Sequence, residues 1–415
     1  MFSGISLDQA PPIKIPFRMF LSAPIFGILA SILLLFSDSQ MNRFSPQIIT
    51  IAHFLFAGFA GFVMIGAIYQ MLPVVIGVIF KSQEKISKLV FMLLVLGLLL
   101  FAINFLTNIQ ITGLTSSVFL FFGFVLFGLF SLFSIGNKIT SSASSLGIFA
   151  AIFVLISVAS LGGYLLSSNS MGNFSSNYYD FANLHIFLAF FGWAFLLILA
   201  ISYQVVPMFW ITKSYPKWII KFFAYIVFGD IFLFAGSIFL QSKLLEIFAI
   251  LVFVLFTSYF AFVTLQRLSA RKRKRFDIVV LCWQISALFL VCGDLLTTLS
   301  FFIDFDLQIQ MAIFFGVGFV LTLIIGMLYK IVPFLVWFHL NAKGIFDAPM
   351  MNEMINEKLQ KIQIASHVLA VFLLVCGFAF ELDLLLKMGG LSLAISFILL
   401  QINLIKSYKI WLSYV

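Results

Sequence analysis

The sequence predicts an all-α integral membrane protein with about twelve transmembrane helices in three pseudo-symmetric four-helix arcs and both termini in the cytoplasm. Three observations predict this fold class: the composition, the recurrence of long apolar runs, and a motif that returns every four runs. Of the 415 residues, 63% are hydrophobic and only 9% are charged. Such a chain has too little polar surface to cover a water-soluble globule, so most of it must be solvated by lipid.

Apolar runs of about twenty residues follow one another along the chain, and each is long enough to cross a hydrocarbon core of about 30 Å as a helix. We place them near residues 18–37, 49–80, 88–107, 116–135, 146–166, 184–212, 218–240, 244–266, 277–301, 309–338, 362–381 and 389–408. These runs predict a multi-pass protein with a single membrane domain over residues 1–415.

The lysines and arginines predict the orientation, because basic residues resist translocation and accumulate in short cytoplasmic loops. If the chain starts inside, only Arg43, Lys243 and Lys387 fall in loops on the outer side. The basic run from Arg271 to Arg275 is interpreted as a topology determinant beside anionic lipid headgroups, since no base-stacking aromatic residues interleave with it. We therefore predict a protein of the bacterial inner (cytoplasmic) membrane, with the lipid bilayer as its partner and no nucleic-acid partner.

A motif of the form small-x-x-Tyr-[Gln/Lys]-x-[Leu/Val]-Pro occurs at residues 66–73, 200–207 and 326–333. It lies late in the second, sixth and tenth runs, which predicts internal repeats of four helices at about 18–135, 146–266 and 277–408. Each proline bends its helix and frees backbone carbonyls about one turn earlier. The polar pairs beside the bends are Tyr69 and Gln70, Tyr203 and Gln204, and Tyr329 and Lys330. The motif either only bends three equivalent helices or contributes to a proton or ligand path.

Three potential ligands stand near the outer starts of these same helices. His53 precedes its repeat proline by twenty positions, whereas His185 and Met311 each precede theirs by twenty-two. Imidazole and thioether groups are both axial ligands of heme iron, and imidazole also binds copper or zinc. We therefore consider His53, His185 and Met311 as cofactor-binding candidates, with the two histidines also as metal ligands. The alternative is that each histidine is an interfacial residue hydrogen-bonded to a loop. His339 and His367 flank the cytoplasmic loop between the tenth and eleventh runs and receive no ligand role.

Two carboxylates fall inside apolar runs. Asp230 lies in the seventh run and Asp294 in the ninth, and each follows a glycine. A charge in hydrocarbon is costly, so an intramembrane carboxylate is a candidate functional residue. Both lie at mid-depth or in the outer half, towards His53 and His185. The alternative is a structural role, with the carboxyl group protonated and bonded to a neighbouring helix.

These features together resemble the heme-copper oxidase subunit I superfamily, and most closely its divergent oxidase-like membrane proteins, which include the nitric-oxide-response (NnrS-type) family. The segments that carry the resemblance are His53–Phe59, His185–Trp193 with Tyr203–Phe209, and Tyr329–His339. The resemblance implies twelve helices in three arcs with histidine ligands at the outer ends of the second, sixth and tenth. It also implies that His53 corresponds to a low-spin heme ligand and His185 to a copper ligand.

The chain departs from that pattern at most of the metal ligands. The adjacent His-His pair of the seventh helix is missing, and Gln308-Ile309-Gln310-Met311 replaces the His-x-His of the tenth. Ala189 stands where a catalytic tyrosine would follow the copper histidine. Two of six ligands do not build an oxygen-reducing centre, so we reject terminal oxidase activity and assign no other enzyme reaction.

Three functions stay open at this point. The first is a protein that binds heme b near the outer leaflet, with His53 and Met311 as one axial pair, in a redox or nitric-oxide-related role. The second is a transporter or assembly factor that handles copper or heme, with the same residues and the carboxylates as transient ligands. The third is a structural partner of respiratory-chain or oxidase-assembly proteins.

Overall fold

A computed structural model describes residues 11–78, 82–136 and 142–415, and this part of the chain contains helices and no strand. Twelve helices within it are long and apolar enough to cross a membrane. The prediction of a multi-span, all-α membrane protein is therefore confirmed. The last two residues of the predicted second run, 79 and 80, lie outside the described residues.

Nine of these twelve membrane helices are uninterrupted α-helices. They are α1 (Lys14–Leu35), α3 (Gln83–Thr107), α4 (Gln110–Ile135), α5 (Ala143–Met171), α7 (Lys217–Phe239), α8 (Lys243–Ser269), α9 (Ile278–Leu299), α11 (Glu357–Ala379) and α12 (Asp383–Ser413). Side chains of the preceding residues cap several of them. Asp277 accepts a hydrogen bond from the amide of Val279 at the start of α9, and Asn356 accepts from two amides at the start of α11.

The other three membrane helices each consist of three consecutive segments, of which the middle one is a π-helix. These are α2 (Pro46–His53, Phe54–Ala60 and Gly61–Ile76), α6 (Tyr178–Phe187, Leu188–Phe195 and Leu196–Trp210) and α10 (Gln308–Ala312, Ile313–Leu321 and Thr322–Ala342). The repeat prolines Pro73, Pro207 and Pro333 lie inside the last segment of each. The helices that carry the predicted repeat motif are thus the ones with an interrupted hydrogen-bond pattern.

The described chain divides into two compact units. The first contains the chain up to Met71 and from Phe276 onwards, with α1, most of α2 and α9 to α12, and the second contains Leu72–Arg275, with α3 to α8. The predicted repeats do not coincide with these units, because the first repeat contributes helices to both.

In the first unit, α1 and α12 run antiparallel along their whole length. The rings of Phe17 and Tyr408 are 5.0 Å apart at one end. In the middle, a Cβ atom at Gly27 would lie 2.6 Å from the ring of Phe397. At the other end, a Cβ atom at Gly390 would lie 2.9 Å from Leu34. The start of α1 and the end of α12 therefore lie at the same end of this unit.

The second unit is built by the same kind of close antiparallel contact. A Cβ atom at Gly97 of α3 would lie 2.8 Å from Leu120 of α4, and Ser116 of α4 donates a hydrogen bond to the Gly97 carbonyl over 2.8 Å. Between α5 and α6, Ser144 donates to the carbonyl of Ala200 over 2.7 Å. Because lipid offers no hydrophobic driving force between helices, close backbone approach and interhelical hydrogen bonds stabilise these pairs.

Candidate functional site

The three π-helical segments occupy matched places in the predicted repeats. Phe54–Ala60 ends thirteen positions before its repeat proline, and Leu188–Phe195 and Ile313–Leu321 each end twelve positions before theirs. They begin within three residues of His53, His185 and Met311, respectively. A π segment is rare and is found often at functional sites. The first halves of α2, α6 and α10 are therefore the candidate functional regions, two in the first unit and one in the second.

A small residue in each π segment packs against the preceding helix. Gly58, Gly192 and Gly318 each lie fifteen positions before the repeat proline. A Cβ atom at these glycines would lie 2.7 Å from Phe26 of α1, 2.6 Å from Val154 of α5 and 2.8 Å from Phe289 of α9, respectively. The corresponding helix pairs are thus α1–α2, α5–α6 and α9–α10, one pair in each predicted repeat.

A second small residue makes the same contact eight residues later, at the start of the repeat motif. A Cβ atom at Gly66 would lie 2.8 Å from Phe20 of α1, and one at Gly326 would lie 2.6 Å from Cys282 of α9. In the remaining pair the roles are exchanged, since Gly147 of α5 faces Ala200 of α6. In a regular α-helix, residues seven positions apart lie two turns apart on the same face. The π segment adds one residue, so here the two small residues of each helix are eight positions apart. The small residue of the motif therefore serves helix packing.

His53 is the last residue before the π segment of α2 and is half-buried. Its Nδ1 lies 2.8 Å from the carbonyl oxygen of Ile49. A carbonyl only accepts, so Nδ1 carries the proton, and the lone pair of the neutral ring lies on Nε2. One turn later, Phe56 lies against Gly316 in the π segment of α10. His53 therefore stands beside the place where α2 and α10 meet.

Met311 is directed towards α9 by a polar contact. The hydroxyl of Thr297 lies 3.2 Å from the Met311 sulfur and also 2.9 Å from the Gly293 carbonyl. Asp294 is buried on the same turn of α9. The neighbouring Gln310 is buried too, and its carbonyl oxygen has no hydrogen-bond partner. The structure thus brings Met311, Thr297 and Asp294 into one region, where the end of α9 lies beside the start of α10.

His185 belongs to the second unit and lies against α5. A Cβ atom at Gly162 would lie 2.8 Å from Cε1 of the His185 ring. His185 and Met311 precede their repeat prolines by the same number of positions, and both face the preceding helix of their own predicted repeat. His53 is offset by two residues, which is about 200° around a helix. Matched depth in the sequence therefore does not place the three candidates on the same helix face.

The resemblance implies heme and copper ligands among the candidate residues. No group of three or more His, Cys, Asp or Glu side chains within this part of the chain is close enough to hold a metal ion. One axial heme ligand does fit at His53, because ligating histidines usually donate their other ring N–H to a carbonyl or carboxylate.

The loops that precede α2 and α10 carry opposite charges. Arg43 lies in the first of these loops and Asp306 in the second. Burial lowers the pKa of the Arg43 guanidinium, and the negative charge of Asp306 opposes this effect. The Arg43 guanidinium also lies 4.4 Å from the ring centre of Phe44. These interactions keep a cation near the start of α2, at the same end of that helix as His53.

Asp230 is buried in α7 with only 1% of its surface exposed, and neither carboxylate oxygen has a hydrogen-bond partner. The next residue, Ile231, lies against Gly192 in the π segment of α6. Asp230 is therefore an interior residue of the second unit. Nothing in the described contacts joins it to His185.

The polar pairs of the repeat motif differ from one copy to the next. The three tyrosines, Tyr69, Tyr203 and Tyr329, are all buried. At the following position Gln70 is buried, Gln204 is exposed, and Lys330 forms an ion pair with Asp277 over 3.7 Å. The second polar position therefore has no common environment, whereas the tyrosine is buried in all three copies.

A buried hydrogen-bond chain at the π segment of α10 was missed in the sequence. The sequence places His367 beside a loop, but this residue lies ten residues inside α11 and is fully buried. Its Nε2 donates to the Val317 carbonyl over 3.1 Å, so its Nδ1 accepts from Ser396 of α12 over 3.4 Å. Gln363 donates to the same serine over 2.8 Å. The spacing of Gln363 and His367, four residues apart in an apolar helix, was the available signal.

No protein-family model matches the sequence, and no curated protein matches it either.

Proposed function

We propose that this protein is a divergent heme-copper oxidase subunit I-like membrane protein that binds one b-type heme near the outer leaflet through His53. Its role on this proposal is redox or nitric-oxide-related, without oxygen reduction. The observation that carries the proposal is the hydrogen bond from His53 Nδ1 to the Ile49 carbonyl. This bond fixes the ring orientation and the tautomer, and it raises the basicity of Nε2, which are the properties that an axial ligand needs.

Heme would supply a redox-active iron whose potential depends on its axial ligands. The protein side of the proposal concerns what its own residues do. His53 stands one turn before the contact of Phe56 with Gly316 of α10, and the π segment that follows it widens the helix there. The Met311 sulfur, which now accepts from the Thr297 hydroxyl, would have to give up that contact to help hold the heme. His53 is therefore the ligand on which the proposal depends, and Met311 tunes the site.

The test is an absorption spectrum of detergent-purified protein expressed with ample heme. We expect a Soret band in the wild-type protein and its loss in His53→Ala. The matched control is His339→Ala, since His339 lies in the last turn of α10 at the opposite end of the span. Met311→Leu should keep the band but shift it. Colourless wild-type protein, or an unchanged band in His53→Ala, would contradict the proposal.

The second candidate is a transporter or assembly factor that handles copper or heme. The Met311 contact favours it, because a thioether held by a hydroxyl exchanges easily for a soft metal. On this alternative the purified protein carries no stable cofactor, and a deletion strain has a metal-uptake or oxidase-maturation defect that Met311→Leu reproduces. The two candidates thus differ in whether the cofactor stays with the protein during purification.

A further inference from the structure

An open apolar groove lies between α9 and α11 in the first unit. Its volume is about 550 Å³. Ile278, Leu281 and Ile285 form one wall, and Ile364, Val368 and Phe372 form the other. The residues of each wall are three or four positions apart, so each wall is one face of a helix. Lys361 is the charged residue of the lining.

The groove has the length of one bilayer leaflet. Its α11 wall runs from Lys361 to Phe372, which is about 16 Å at 1.5 Å per residue. Half of a hydrocarbon core of about 30 Å is about 15 Å. The groove begins at the first residues of α9 and α11, because Phe276 precedes α9 and Lys361 lies in the second turn of α11. It therefore extends from one membrane surface to about the middle of the span.

The charges at the mouth of the groove favour an anion. Lys358 precedes Lys361 by one turn on the same face of α11, and both side chains are exposed. The Lys361 ammonium lies 6.0 Å from the ring centre of Phe276. The acidic groups nearby are Glu357 in the first turn of α11 and Asp277, whose carboxylate is paired with Lys330 over 3.7 Å. The mouth of the groove thus carries two exposed ammonium groups and one exposed carboxylate, and this net positive charge favours an anion.

We propose that this groove is a specific binding site for one anionic phospholipid, with an acyl chain in the groove and the headgroup phosphate at Lys358 and Lys361. Basic positions between membrane helices at the cytoplasmic surface bind anionic headgroups. A second open groove, of about 620 Å³, lies at the end of α12. It is lined by that one helix, and its Lys406 already donates to the Glu353 carbonyl. The two-walled groove is therefore the site.

Native mass spectrometry of the detergent-purified full chain tests the headgroup. The probes are palmitoyl-oleoyl phosphatidylglycerol and the phosphatidylcholine with the same chains. We expect tighter binding of phosphatidylglycerol and an affinity loss of about fivefold for each of Lys358→Gln and Lys361→Gln, since each cation near a membrane surface contributes about that factor. Lys387→Gln, with the same change of charge near the start of α12, is the control. Equal affinity for the two lipids, or unchanged phosphatidylglycerol binding in the double variant, would overturn the headgroup assignment.

A second variant tests the acyl chain. Val368→Trp fills the groove and should weaken both lipids, whereas Leu295→Trp on the exposed outer part of α9 should weaken neither. If Val368→Trp left lipid binding unchanged, the assignment of the groove as the binding site would be wrong. Displacement of phosphatidylglycerol by inorganic phosphate alone would also contradict that assignment. The absorption spectrum of each variant is recorded in parallel, so that a failure of lipid binding and a failure of heme binding are separate results.

Discussion

The hydrogen bond from His367 to the π segment of α10 yields the sharpest stability prediction. Replacement of His367 by leucine keeps a side chain of similar size in a fully buried place but removes the donor to the Val317 carbonyl. The Thr322 hydroxyl, at a long 3.4 Å, is the side-chain donor to that carbonyl that then remains. Hydrogen bonds between membrane helices contribute about 1–2 kcal/mol. We expect His367→Leu to lower the free energy of unfolding by about 1–2 kcal/mol.

The assay must separate a loss at the π segment from a general loss of packing. Hydrogen exchange in detergent should rise at the amides of residues 313–321 in His367→Leu. His367→Gln, whose amide N–H reaches about as far as the imidazole Nε2, should restore most of the protection. Ser392→Ala is the matched control, because it removes a 2.8 Å bond between α12 and α11 that does not involve α10. Equal exchange at these amides in His367→Leu and Ser392→Ala would refute the reasoning.

Three further predictions concern single sites. Gly318→Ala should destabilise the protein by about 1–3 kcal/mol in thermal unfolding, because its Cβ would lie 2.8 Å from Phe289. The control is Gly236→Ala, whose Cβ would have no atom within 4 Å and which should leave the stability unchanged. Asp230→Leu should raise the thermal midpoint, since a buried carboxyl without a partner costs folding free energy, and a lower midpoint would show that the carboxyl is needed. Burial raises the pKa of the Tyr215 hydroxyl. The folded protein therefore keeps a proton that the unfolded chain loses above about pH 10, the ordinary pKa of tyrosine, and the free energy of unfolding should fall as the pH rises above that value. Tyr215→Phe should make this fall smaller.

The sequence predicted the helices well because their signal is local. Hydrophobic runs of about twenty residues specify a span whatever surrounds them. The predicted fourth run, 116–135, corresponds to Gln110–Ile135, and the predicted ninth, 277–301, corresponds to Ile278–Leu299. The repeat motif was recognisable for the same reason, and its small residue proved to be a helix-packing position. What the motif does beyond packing differs between copies, since Gln204 is exposed while Gln70 is buried.

The candidate site was predicted only in part. His53, His185 and Met311 lie near the starts of α2, α6 and α10, next to segments of unusual geometry. No local pattern in the sequence had indicated the π segments that follow them. His367 shows the same limit, because its role depends on a carbonyl 50 positions away in the chain.

The sequence by itself determined that this chain is a bundle of membrane helices, since span length and hydropathy are properties of each segment alone. It also determined where the helices come close together, because only small residues allow that approach. The tertiary structure decided which side chains face one another: Met311 towards Thr297, His185 towards Gly162, and His367 towards Val317. The physical reason is that hydrogen bonds and close contacts join residues distant in sequence, and a single extra residue in a helix turns every later side chain to a new face.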